Sequence, residues 1–198
     1  EDTSNCNDTD AGVTADLSYN RPAVIKITCS DGAATGTAAT NTTITSGAPA
    51  SITLNSLSST TPRANGTVTF SVLVQDAAGN NVADGTAVNF TWTDPDAATN
   101  PNVGSPGGFT SVSTTTGGIA TAVFQVSTYA GTSAATADNF KLTAAAGTAS
   151  YTSATITVQP QNTIASFSLT FSTYSPTAGQ NVTATIVAYD TYGNKMWD

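Results

Sequence analysis

The sequence predicts an all-β chain built from sandwich modules, and three observations predict it. Apolar residues alternate with Thr and Ser at a period of two. Gly, Pro, Asn and Asp punctuate these runs at about the 8–12-residue spacing of short strands. A stretch of the chain also recurs about 114 positions further on.

Taken in order, the strands expected of the middle of the chain are Ala50–Leu57, Thr67–Gln75, Thr86–Thr93, Phe109–Ser113, Gly118–Ser127, Asn139–Ala145 and Thr148–Val158. The clearest is Thr67–Gln75, where Val68, Phe70, Val72 and Val74 alternate with Thr67, Thr69, Ser71 and Leu73. Ile119–Val126 is apolar on both faces near its middle, with Ile119 and Val123 on one side and Ala120, Ala122 and Phe124 on the other. The β-branched pair Ile156 and Val158 closes the series before Pro160, which has no N–H for a ladder. The abundant alanines are interleaved with Thr, Ser and Gly and form no i, i+3, i+4 stripe, so they do not argue for helix. Asp76-Ala77-Ala78-Gly79-Asn80, Asp94-Pro95-Asp96, Pro106-Gly107-Gly108 and Gly147 mark the turns. About seven short strands in roughly 110 residues is the pattern of an immunoglobulin-like β-sandwich.

Composition narrows the chemistry. The 198 residues carry 13 acidic and 5 basic side chains, no His, and only 9% charged residues. Thr and Ser fill about 59 positions, which leaves a lean apolar core but too little charge density for a disordered chain. At net charge −8 a nucleic-acid backbone is repelled. No apolar run approaches the ~20 residues that span a bilayer as a helix. Without His a Ser nucleophile would need a Lys, yet Lys26, Lys141 and Lys195 sit in or beside strand patterns and no Ser-x-x-Lys motif occurs. No enzyme activity and no cofactor are expected.

The chain begins at Glu1, which fits a mature product, a fragment or an excerpt. Cys6 and Cys29 are spaced for one local disulfide in an exported protein, with two unpaired thiols as the other reading. Five Asn-x-Ser/Thr sequons stand at Asn7, Asn41, Asn65, Asn89 and Asn181. Asn89 alternates with Phe90 and Trp92, and Asn181 opens a run whose apolar side is Val182, Ala184 and Ile186, so both should face solvent. These features place the chain outside the cell, as a glycoprotein at its surface.

The recurrence sets the organisation. Val72–Asp84 (VLVQDAAGNNVAD) returns as Ile186–Asp198 (IVAYDTYGNKMWD), with Asp76, Gly79, Asn80 and Asp84 matching Asp190, Gly193, Asn194 and Asp198. Ala50-Ser51 and Leu54 match Ala165-Ser166 and Leu169, and Lys26-Ile27-Thr28 matches Lys141-Leu142-Thr143. The chain therefore reads as the C-terminal part of one module (1–48), a complete sandwich (49–160) and the N-terminal part of a third (161–198). Two strands cannot bury an apolar face alone, so Phe167, Leu169, Phe171, Val182 and Ile186 need partners from outside 161–198. Either the natural chain continues into further repeats, or another copy supplies strands, with Val24, Ile25 and Ile27 as the donor residues.

Pro49-Ala50-Ser51-Ile52-Thr53-Leu54, Val72–Val82 with its Asp76, Gly79 and Asn80, Thr115-Thr116-Gly117-Gly118-Ile119-Ala120-Thr121 and the Lys141–Gly147 hairpin together resemble the bacterial immunoglobulin-like repeats of invasin- and intimin-type adhesins, and related repeats of bacterial and archaeal surface proteins. The resemblance covers about 110 residues once and about 35 more at the end of the chain. It implies a stalk, adhesin or surface-coat role.

Calcium is the candidate ligand. Oxygen donors gather at Asp2, Asn5, Asn7, Asp8 and Asp10, at Asp94 and Asp96, and at Asp76, Asn80 and Asp84. The last set also reads as turn chemistry, in which Asp and Asn bond their own backbone and Gly79 supplies a positive φ; its recurrence favours that reading. A Lys141–Asn crosslink would need Lys141 in the core; Tyr192, in a turn, could offer a ring to a surface glycan, whereas Trp92 is expected to pack in the core. The function expected is a structural one: a filament, pilus or stalk of end-to-end modules, with strand donation between subunits. The alternative is an adhesin segment or surface-layer protein that binds glycans or other cell-surface ligands.

Overall fold

A computed structural model describes residues 20–26, 28–30, 35–37, 41–95 and 108–197. Along the chain the strands are β1 (Ala23–Ile25), β2 (Thr28–Ser30), β3 (Thr35–Thr37), β4 (Thr42–Ile44), β5 (Ser51–Leu57), β6 (Thr67–Gln75), β7 (Ala87–Thr93), β8 (Gly108–Phe109), β9 (Val112–Thr114), β10 (Ile119–Gln125), β11 (Asn139–Ala146), β12 (Ala149–Thr152), β13 (Ile156–Thr157), β14 (Ser166–Phe171) and β15 (Ala184–Tyr189). A single 3-10 turn, Ala134–Thr136, is the only helical element among the described residues.

The middle of the chain is an immunoglobulin-like sandwich. One sheet runs β5-β6-β10-β8, and the facing sheet runs β12-β11-β7-β9 with β13 also on β11. The alternation read from the sequence fills the space between them. Val68, Phe70, Val72 and Val74 on β6 and Ala120, Ala122 and Phe124 on β10 meet Val88 and Phe90 on β7 and Phe140, Leu142 and Ala144 on β11, all buried. Phe70 and Phe90 meet edge-on across the sheets with ring centroids 5.8 Å apart. Small buried Ala side chains on β10 and β11 leave room between the sheets for the large Phe rings.

Two of the expected strands are each divided. Phe109–Ser113 forms β8 and β9, because the chain changes sheets there: the Thr110 N–H bonds Val123 O at 3.0 Å, and the Phe90 N–H across the sandwich bonds Ser111 O at 2.8 Å. Thr148–Val158 forms β12 and β13. The Ser153 hydroxyl accepts the Leu142 N–H at 3.0 Å and donates to Ala154 O at 2.7 Å, taking the place of a backbone carbonyl so that the strand bends away. β10 is apolar on both faces as expected, but only Ala120, Ala122 and Phe124 are inside, while Ile119 and Val123 face solvent.

The flanking pieces reproduce parts of this sandwich. β2 pairs β3 with Thr28 opposite Thr37, the register in which Thr143 of β11 faces Thr152 of β12. β14 pairs β15 with Phe167 opposite Ala188 and Leu169 opposite Ile186, as Ile52 and Leu54 of β5 face Val74 and Val72 of β6. β5 carries one extra residue, a bulge at Asn55 between the Leu54 and Ser56 pairs. Its amide Nδ2 donates to the Ser71 hydroxyl at 3.1 Å. β14 has no bulge, which is why the repeat is offset by one residue more before this point than after it.

The sandwich closes along a last seam. Residues 60–64 run parallel beside 157–159, with Thr157 N–H on Thr60 O (2.8 Å), Gln159 N–H on Pro62 O (2.9 Å) and Ala64 N–H on Gln159 O (2.8 Å).

Candidate functional site: the module joints and the open sheet face

The recurring turn is built the same way twice. Gly79 and Gly193 both have φ +81°, a left-handed conformation that glycine adopts without strain. Backbone bonds close each turn: Asp76 N–H to Asn80 O at 2.8 Å, and Asp190 N–H to Asn194 O at 2.9 Å. The Asp carboxylate then caps the turn from inside. Asp76 Oδ1 accepts the Ala78 and Asn80 N–H groups at 2.9 Å each, and Asp190 Oδ1 accepts those of Tyr192 at 2.8 Å and Asn194 at 2.9 Å.

The second carboxylate oxygen reaches back along the chain. Asp76 Oδ2 accepts the Gly47 N–H at 2.9 Å, and Asp190 Oδ2 accepts the Gln161 N–H at 2.9 Å, a separation of 29 residues in both cases. Gly47 lies between β4 and β5, and Gln161 lies between β13 and β14. Each turn thus grips the linker that leads into its own hairpin. The Asn side chain reaches further still: Asn80 Nδ2 donates to Asn20 O at 2.7 Å, and Asn194 Nδ2 donates to Thr128 O at 2.8 Å.

These bonds set the electrostatics. The Gly47 N–H and then the Asn80 side chain hold the Asp76 carboxyl down at about 2. Burial pushes the Asp190 carboxyl up, and the Asn194 side chain with the Gln161, Asn194 and Tyr192 N–H groups outweighs it, leaving a net lowering.

The three residues named for calcium are each engaged in hydrogen bonds. Asp76 and Asn80 bond each other, with Asn80 Nδ2 3.1 Å from Asp76 Oδ2. Asp84 Oδ1 instead accepts the Gly117 N–H at 2.7 Å. Beside it, Asn81 Nδ2 donates to Gly117 O at 2.7 Å, and the buried Thr115 hydroxyl donates to Ala83 O at 2.8 Å. Asp84 therefore ties the end of the β6 hairpin to the Gly117-Gly118 turn that feeds β10. Among the described residues no cluster of three or more carboxylate or thiol side chains is placed to hold a metal. Asp94 follows β7, while Asp96 and the N-terminal donors Asp2, Asn5, Asn7, Asp8 and Asp10 lie outside the described residues.

Around the second joint the sandwich offers matching groups. Ala130 N–H donates to Asn194 Oδ1 at 2.9 Å, and Asn65 Nδ2 donates to the Tyr192 hydroxyl at 2.7 Å. The Gln161 side chain donates to Ala64 O, and Arg63 Nη1 donates to Pro160 O at 2.8 Å. Trp197 packs against the sandwich core. At the first joint a cleft of about 520 Å³ lies between the linker and the turn, lined by Arg21, Ile44, Pro49, Asp76, Ala77 and Asn80 among others.

The other feature is the open face of β14 and β15. Phe167 is 67% exposed and Ile186 65%, and Leu169, Phe171 and Val182 are exposed as well. Their repeat positions on β5 and β6 are Ile52, Val72, Leu54, Leu57 and Val68, of which Ile52, Val68 and Val72 are core residues and Leu57 packs against the core. In the first segment Val24 is 64% exposed and Ile25 half-buried; Ile27 lies outside the described residues.

Four of the five sequons can be placed. Asn41, Asn65, Asn89 and Asn181 are all exposed, and Asn89 points away from the buried Phe90 as its alternation requires. Asn7 and Cys6 lie outside the described residues, as does the Cys29 side chain. Lys141 sits on the outer face of β11, opposite the buried Phe140 and Leu142, so it does not enter the core as a crosslink would require. Trp92 packs against the core, and Tyr192 is committed to the joint. No helix among the described residues is long and apolar enough to cross a membrane.

Sequence reasoning reached Asp76, Asn80 and their repeats, and Asn65 only as a sequon, but missed Gly47, Gln161 and the 127–130 loop. The signal within reach was the constant spacing from linker to turn, which the repeat carries at both joints.

No family model matches the chain, and no curated protein matches it. Among solved structures it is similar to FdeC, an Escherichia coli adhesin, at 17% identity and a TM-score of 0.52, over 86% of this chain and 52% of that one. The chain thus spans about half the length of the FdeC chain it matches. A glycosyl hydrolase family 2 member from Bacteroides cellulosilyticus follows at 18% identity and TM-score 0.41, over 72% of this chain and 18% of that one. Domains 1–6 of the surface layer protein SbsC follow at 15% and 0.37, over 89% and 21%. The likeness to FdeC is one of fold, and the two lower scores add nothing to it.

Proposed function

We propose that the chain is a structural, non-enzymatic part of an extracellular cell-surface protein in which immunoglobulin-like modules stand end to end. In this reading the open β14–β15 sheet is completed by strands from a second copy, building a filament. One observation carries it: Phe167 and Ile186 are exposed on a hairpin that has the register of β5–β6, where their counterparts Ile52 and Val72 are buried in the core. Burial of an apolar side chain of this size is worth about 1.5–3 kcal/mol, so several exposed together favour association. The first segment supports a second copy as the donor, because β2 and β3 repeat the register of β11 and β12, strands of the sheet that faces β6. The exposed Val24 and half-buried Ile25 on β1 are the donor contacts. Exposed sequons at Asn41, Asn89 and Asn181 suit a glycosylated exterior.

Sedimentation of the full chain over a concentration series tests the assembly. Higher species are expected for the native chain and their loss in Ile186→Asp; a monomer throughout defeats the second-copy reading. Intact mass of native material after deglycosylation separates the source of the strands. A mass near 19.8 kDa supports donation between copies, whereas a several-fold larger one means that the continuing chain closes the sheet.

The second reading is an adhesin segment or surface-layer protein that recognises glycans, and the likeness to an adhesin, FdeC, favours it. Glycan-array binding by the full chain would support this reading, and a clean negative would remove it.

A further inference from the structure

We infer that the recurring Asp-x-x-Gly-Asn turn is a module-to-module latch, and that the partner of its second copy, Asp190–Asn194, is the 127–130 loop of the preceding module. A turn that only closed β15 would need its local bonds alone, Asp190 N–H to Asn194 O and Gly193 N–H to Asp190 O. Besides the local caps on Asp190 Oδ1, the Asp190 and Asn194 side chains also reach residues far away. Asn194 is 3% exposed, and its amide spans both ends of one loop: Nδ2 donates to Thr128 O at 2.8 Å while Oδ1 accepts the Ala130 N–H at 2.9 Å. The same Nδ2 donates its second hydrogen to Asp190 Oδ2 at 2.9 Å, so every hydrogen-bonding group of this buried side chain is used.

The chemistry explains the residue type. A loop presenting one carbonyl and one N–H side by side needs a partner that both donates and accepts across a single planar group, which an amide supplies. An Asp there has no donor for Thr128 O and would set a second carboxylate against Asp190. Asp190, itself 2% exposed, holds the linker through the Gln161 N–H and orients Asn194 at the same time. Seating the turn therefore fixes linker and loop in one step. The Tyr192 hydroxyl bond to Asn65 and the Trp197 contact with the core widen the seat. At the other joint Asp76 and Asn80 repeat the grip on Gly47 and on Asn20 O, so the motif acts on the chain before it at both places.

Hydrogen exchange on the full chain tests the latch at one amide. The Ala130 N–H points at Asn194 Oδ1, whereas the nearby Val126 N–H bonds Gly66 O within the sandwich at 2.8 Å. In Asn194→Ala, exchange at Ala130 is expected to accelerate about tenfold or more while Val126 keeps its protection. Asn80→Ala, at the other joint, is expected to leave Ala130 unchanged. Equal exchange at Ala130 in the native chain and Asn194→Ala overturns the latch. So does loss of protection spreading to Val126, which would make Asn194 a general stabiliser of the sandwich. The latch lies within one chain, so the result is independent of whether copies assemble.

Discussion

β5–β6 and β14–β15 are two hairpins written from one pattern, with the same strand register and the same Asp-capped turn. Their apolar faces have opposite fates: Val72 is fully buried, and Ile186, at the same repeat position, is 65% exposed. Register and turn are thus local properties, carried by alternation, by a left-handed glycine and by a carboxylate within a few residues. Burial is not local. It depends on β7, β10 and β11, and the described residues 161–197 hold no counterparts of those strands.

The largest effect expected from breaking this symmetry is a charge placed at the shared position. Val72→Asp strands an unpaired carboxylate in the core and should cost about 4 kcal/mol or more in urea unfolding. Ile186→Asp should change the unfolding of the isolated chain by no more than about 0.5 kcal/mol. Similar losses in both would mean that the β15 face is covered within one chain.

Next comes the support that Thr115 gives the first hairpin. Thr115→Val removes the hydroxyl that donates to Ala83 O and accepts the Thr86 N–H at 3.1 Å. The sandwich should lose about 1–3 kcal/mol, read by chemical denaturation. The Asp190 turn and its Gln161 amide should keep their exchange protection in that variant.

Acid should loosen what the two turns share. A carboxyl whose folded value lies below its ordinary one contributes stability above the ordinary value, and that contribution is lost as pH falls through the folded value. For Asp76 the window runs from 3.8 down to about 2. An NMR titration of its side-chain carboxyl should show a midpoint near the lower end, moving back toward the upper end in Asn80→Ala. Asp190 should also titrate below the ordinary range. A normal midpoint for both would remove the carboxylate from the account of the turns.

The smallest change concerns the bulge. Deleting Asn55 gives β5 the unbulged register of β14 and removes only its bond to the Ser71 hydroxyl. The expected loss is about 1 kcal/mol or less, seen as a small drop in Tm.

Much of this was legible in the residues. Thr67–Gln75 forms the strand its alternation requires, Asn89 faces out where Phe90 faces in, and the recurring turn is a built unit. Even the Asn55 bulge left a trace, since the repeat offset slips by one residue within the strand that contains it. What stayed hidden was decided at long range. The change of sheet between Thr110 and Ser111 depends on which strands lie on either side, and neither residue announces it. Asn194 reads as a turn residue; that its amide seats on the 127–130 loop follows from how one module packs on the next.

The seam between residues 60–64 and 157–159 has a mechanical consequence. The two segments run in the same direction, one near the entry to the sandwich and the other at its exit. Tension drawn through the module slides them past each other, so Thr157, Gln159, Ala64 and the Arg63–Pro160 bond are loaded together in shear, with no end from which to unzip. A single-molecule pulling trace of the chain should show one tall rupture for this module, and Ala64→Pro, which removes one of those N–H donors, should lower it.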